Sequence, residues 1–138
     1  MVHALREAHR VLRPGGLLID LRPAARHRRV GLGEGRRWRL IAVMREAFDE
    51  DHAADRAVAR VLRDGLFRPQ AVTEFPLDRV MDGMDDFRTW IEEFGQRRAL
   101  ASHEWLIRRL ERALAKRRKP ARIVGRGPMT LRVLRRSG

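Results

Sequence analysis

Cysteine is absent from the 138 residues, which excludes disulfides, thiolate metal sites and a cysteine nucleophile, and leaves the compartment open. Long apolar runs are missing too. No stretch approaches the ~18 residues that cross a bilayer, and the opening MVHALREAHR is too charged for a secretory signal. A cytoplasmic protein without a membrane partner is the expectation. Lysine is scarce: of 31 basic residues only Lys116 and Lys119 are Lys, against 18 acidic residues and a net charge of +13. So one-sided a ratio fits coding bias better than selection for phosphate contacts. The positive field nevertheless attracts polyanions, so an RNA- or DNA-facing surface and a solvated arginine-rich exterior both stay open. His3, His9, His27, His52 and His103 show no H-x-x-x-H spacing and no carboxylate grouping, so no metal site is expected. Neither an internal repeat nor a low-complexity segment occurs.

What is there fits one α/β domain over 1–138, with 43% hydrophobic residues for its core. Its organising stretch is Glu7 to Pro23, EAHRVLRPGGLLIDLRP. Leu5, Ala8 and Leu12 recur at helical spacing, with Arg6, Arg10 and Arg13 on the other side. Pro14 ends that helix and Gly15-Gly16 reverse the chain. Leu17, Leu18, Ile19 and Leu21 then form a short apolar run that predicts a strand covered on both faces, as inside a parallel sheet.

His9-Arg-Val-Leu-Arg-Pro-Gly-Gly-Leu-Leu-Ile-Asp resembles the segment leading into the fifth strand of class I S-adenosylmethionine-dependent methyltransferases. The resemblance implies a partial Rossmann-like sheet: the family's fifth, sixth and seventh strands, the last antiparallel and inserted between the other two. The family's cofactor site is built by a glycine loop after the first strand, an acidic residue ending the second, and residues around the fourth. The resemblance places all three upstream of Met1, so no residue here is assigned to S-adenosylmethionine and the chain is expected to be inactive alone.

Further along, Val30 to Met44 predicts a hairpin turning at Gly33-Glu34-Gly35, with Trp38, Leu40 and Ala42 alternating with Arg37, Arg39 and Ile41. Gly31 to Gly35 spells G-x-G-x-G, but a cofactor loop must follow a buried strand and open a helix, and this one does neither. Asp49 to Asp64 predicts a helix that is acidic at its start and stopped by Gly65. Ala71 to Val80 predicts a strand that Pro76 confines to an edge, bend or bulge. Asp82 to Gln96 is a helix with Met84, Phe87, Trp90, Ile91 and Phe94 on one face. A longer helix, capped by Ser102, carries Leu106, Ile107, Leu110 and Leu114 and ends at Lys116–Lys119 and Pro120. The pair at 82–119 reads as a helical insertion. Ile123-Val124, a Gly125–Pro128 break and a final strand over Met129–Leu134 close the chain.

Candidate chemistry is thin. Asp20 in an apolar strand is unusual, because burying an unpaired carboxylate costs several kcal/mol. Pairing with an arginine such as Arg22 is favoured over a place in a site at the strand end. His27, near the strand's exit, is a candidate substrate-side base. Asp20, Arg22 and His27 are therefore the substrate-side candidates, with no catalytic residue assigned. Two alternatives stand beside the methyltransferase reading. One is a non-catalytic remnant that self-associates through strand 17–21 into a homo-oligomer. The other is a nucleic-acid-binding module using Arg108, Arg109, Arg112 and the Lys116–Arg126 cluster.

Overall fold

The computed structural model describes residues 1–98 and 103–138, and Ser102 lies outside the described residues. In chain order it contains α1 (Val2–Val11), β1 (Leu17–Pro23), β2 (Arg29–Glu34), β3 (Arg37–Val43), α2 (Asp49–Arg63), β4 (Phe67–Met81), α3 (Met84–Arg98), α4 (Glu104–Ala115) and β5 (Arg122–Arg136). The class is α/β. Strands run in the order β1-β5-β2-β3, with β4 also pairing β5. Each of the pairs β1–β5, β2–β3 and β2–β5 is antiparallel. Contacts divide the chain into two compact units: 1–25, 48–75 and 129–138 in the first, 26–47 and 76–128 in the second.

In the first unit, Leu12 leaves the helix with extended dihedrals and Gly15 takes a positive φ of 74°, which only glycine adopts without strain. The turn is sewn to the end of β5. Arg136 N–H donates to the Gly16 carbonyl at 2.8 Å, and its guanidinium donates to the Leu12 carbonyl, one of the orphan acceptors at the end of α1. α1 and α2 pack together, burying Leu5, Ala57, Val58 and Val61 against Phe67 and Leu134, with Leu18 at the margin. Complete burial of each large apolar side chain contributes about 1.5–3 kcal/mol.

The expectation for β1 needs correction. Its burial alternates, and Leu17, Ile19 and Leu21 are 48, 63 and 54% exposed. Leu18, Asp20 and Arg22 point to the helices instead. The apolar run is thus half-covered, and its partner is antiparallel. Period-2 alternation is masked in the sequence because the outward face is as apolar as the inward one.

In the second unit, Phe87, Trp90, Ile91 and Phe94 of α3 and Leu106 and Leu110 of α4 enclose a core with Val30, Leu32, Ala42, Met44, Met81 and Ile123. The hairpin forms, with its turn at Gly35 and Arg36. Its register jumps from Val30↔Ala42 to Gly31↔Leu40. Ile41 is the bulged residue and packs on the core, while Leu40 is exposed.

Two further corrections concern length. β4 begins at Phe67 and runs unbroken through Pro69 and Pro76. It pairs only β5 among the described residues, and an edge is where missing ladder donors are tolerated. β5 runs unbroken through Gly125–Pro128. A Cβ on Gly125 would stand 3.0 Å from the Trp90 ring, and one on Gly127 3.1 Å from Arg28 Nε. These glycines let side chains lie flat on the strand rather than interrupt it. α3 includes Gly95, as expected, and ends at Arg98.

Candidate functional site

Asp20 does what a carboxylate in an apolar strand must do to be buried. Arg22 Nε donates to both its oxygens, at 3.1 and 2.9 Å. Arg132, its register partner on β5, donates to it at 3.4 Å. The pair extends onto α2: Arg22 and Arg132 each bring a terminal nitrogen within 2.9 Å of Asp55 Oδ1, and Arg22 donates to the Asp51 carbonyl at 3.3 Å. Two carboxylates thus meet two guanidiniums in a neutral quartet, whose Asp20, Arg22 and Arg132 side chains are at most 24% exposed. Such a quartet clasps β1 and β5 to α2. Removing one member would leave the others short of partners.

His27 lies in the second unit and is exposed. Its Nδ1 accepts the backbone N–H of Glu46 at 3.2 Å, so the proton of the neutral ring sits on Nε2. Glu46 is buried, and its carboxylate accepts the Arg28 backbone N–H at 2.6 Å. The Arg28 guanidinium lies 4.9 Å from the Phe94 ring centroid and 5.8 Å from that of Trp90, within cation–π range. His27, Arg28 and Glu46 tie the entry of β2 to the segment after β3.

Sequence reading misses Glu46, Asp55 and Arg132, and it misses the pairing of Arg126, which makes paired 2.7 Å hydrogen bonds to Asp78 and lies 4.5 Å from the Trp38 ring centroid. Those bonds hold the Asp78 carboxyl below the usual range. Nothing local signals these partners, which sit 18 to 112 positions apart. Of the cations offered for nucleic acid, Arg108 pairs with Glu104, Arg117 with Glu34, Arg122 with Asp82 and Arg126 with Asp78.

The G-x-G-x-G stretch does not have the form of a strand–loop–helix cofactor cradle. It is strand and turn: a Cβ on Gly31 would collide with the Arg39 carbonyl and approach the Trp38 indole at 2.7 Å, and one on Gly33 would meet Val124 at 3.0 Å. Gly31 and Gly33 thus make room for protein atoms. The β1 carboxylate, Asp20, is occupied by arginines. No three His, Asp or Glu side chains gather as a metal site among the described residues, and no helix there is long and apolar enough to cross a membrane. Compared with protein families, curated proteins and solved structures, the chain matches none.

Proposed function

We propose that this chain forms the C-terminal strands of a class I S-adenosylmethionine-dependent methyltransferase sheet, with the cofactor held by strands outside these residues, so that it does not methylate alone. The observation that carries the reading is the state of β1. It follows the RPGG turn, pairs antiparallel with β5, which also pairs β4, and has no partner on its other edge among the described residues. Leu17, Ile19 and Leu21 beside that edge face away from the helices. An unpaired edge flanked by an apolar face is what a strand in the middle of a larger sheet leaves when its neighbours are elsewhere. Calorimetric titration with S-adenosylmethionine should give no heat, whereas a micromolar dissociation constant would overturn the account of the site.

The same edge favours a second reading, self-association. Antiparallel pairing of two β1 strands about Ile19 would set Leu17 opposite the second copy's Leu21 and extend the apolar face across both copies. Light scattering should then report an oligomer that Ile19→Lys converts to monomer. A monodisperse wild-type monomer at high concentration removes this reading.

A further inference from the structure

The strongest unassigned feature is an open groove of about 450 Å³ in the second unit, lined by Arg39, Leu40 and Ile41 of β3 and by Arg109, Arg112, Ala113 and Lys116 at α4. Four cations line it and no carboxylate does. The side chains of Arg39, Arg109 and Lys116 make no hydrogen bond or ion pair with any described residue, and that of Arg112 makes one, from Nε to the Arg108 carbonyl. That leaves its two terminal nitrogens open.

The sequence of α4 explains why the groove stays uncompensated. At 3.6 residues per turn, positions 105, 109, 112 and 116 fall within about 60° of arc. The helix's two acids lie about 100° or more from Trp105 and are already engaged, Glu104 by Arg108 and Glu111 by Arg88. The stripe carries a cation about every 5 Å along the axis. One turn before Arg109 it carries Trp105, which is 41% exposed. An indole left in water beside unpaired guanidiniums is the pairing that single-stranded nucleic acid uses: a face on which a base stacks, and charges that follow the phosphates. Arginine supplies the planar donors that suit phosphate oxygens. β3 is the end strand of the sheet order, so Arg39 borders an open side.

From this geometry we infer that the groove between β3 and α4 binds single-stranded nucleic acid, with a base stacked on Trp105 and the backbone held by Arg39, Arg109, Arg112 and Lys116. The inference is independent of the methyltransferase reading and survives its failure. A general attraction of any polyanion to an arginine-rich surface is the competing account, and the protein contains its own control. Exposed Arg56, Arg60 and Arg63 on α2 span the same seven residues on one helix face, spaced i, i+4, i+7 against i, i+3, i+7 on α4, yet they share their stripe with Asp49, and that helix carries no tryptophan.

The test is fluorescence anisotropy of a labelled oligouridylate of about 12 nucleotides, a length within the range such sites cover, titrated with the full chain from about 50 mM salt upward. Combined Arg109→Gln, Arg112→Gln and Lys116→Gln should weaken binding by about 10-fold or more and reduce the log–log salt slope by about 2. Trp105→Ala should weaken it about 10-fold with the slope unchanged. The charge-matched triple Arg56→Gln, Arg60→Gln and Arg63→Gln should change it less than about 2-fold. All these positions are exposed, and unchanged thermal melts verify the fold. Equal losses from the two triples, no effect of Trp105→Ala, absence of binding at low salt, or tighter binding of a polyglutamate peptide or anionic vesicles would each overturn the inference.

Discussion

The β1–α2 quartet of the first unit and the α4 face of the second use arginine in opposite ways. In the first, Arg22 and Arg132 turn inward and share Asp20 and Asp55 beneath α2, while leucine and isoleucine of β1 stand in water. In the second, the aromatic side chains of α3 close the core, and α4 leaves Arg109, Arg112 and Lys116 outside. Polar groups inside and apolar groups outside is an arrangement a lone unit does not choose, since exposed apolar area forgoes about 25 cal/mol per Å². In the first unit that exposed apolar area lies on β1, at Leu17, Ile19 and Leu21. The second exposes apolar side chains too, Leu40, Leu77 and Val80 among them.

The largest effect that can break this contrast comes from the cores. Phe67→Ala empties the first and Phe87→Ala the second; both rings are almost fully buried, so each should cost about 3–5 kcal/mol. Amide exchange should accelerate in α1 and α2 for Phe67→Ala, and in α3 and α4 for Phe87→Ala. Uniform acceleration in both variants would show that the two apolar clusters melt as one.

Next in size is Asp20→Asn. It leaves Arg22 and Arg132 with only Asp55, at 42% exposure, to neutralise them. A loss of about 2–3 kcal/mol is expected, read from the urea midpoint. A change under about 0.5 kcal/mol would mean the quartet holds no register. Gly125→Ala sharpens the other side of the comparison. Its Cβ meets the Trp90 ring at 3.0 Å, and overpacking of this kind costs about 1–3 kcal/mol, with Trp90 fluorescence reporting the displacement.

The positions of the elements are legible from periodicity and punctuation; their pairing is not. α2 runs Asp49–Arg63 because its acidic start, apolar face and following Gly65 agree with one another. β1 reads as covered on both faces because Leu17, Ile19 and Leu21 carry no polar mark of their exposure. β5 reads as broken at Gly125 because a glycine in a sequence looks the same whether it bends the chain or makes room for an indole. Asp20 with Arg22 is readable, since they are two apart on one strand face. Asp55, Arg132 and Arg39 are not, because partners brought together by tertiary structure leave no local signature.

The smallest expected effect is a pH dependence that belongs to the second unit. His103 is buried at the start of α4 with its ring edge-on to Phe94 at 6.3 Å. Burial pushes its pKa below the ordinary histidine value of about 6.5. The unfolded chain then takes up the proton first. The stability His103 contributes is present above about pH 6.5 and is lost as pH falls through the lower folded value. Asp78 has the same sign in a more acid window, its stabilisation present above about pH 4 and lost below it, so the two do not overlap. A small fall in urea midpoint between about pH 7 and pH 5, followed by tryptophan fluorescence and abolished by His103→Gln, is the expected result. An identical fall in the variant would assign the titration to another group and leave this histidine a passive member of the core.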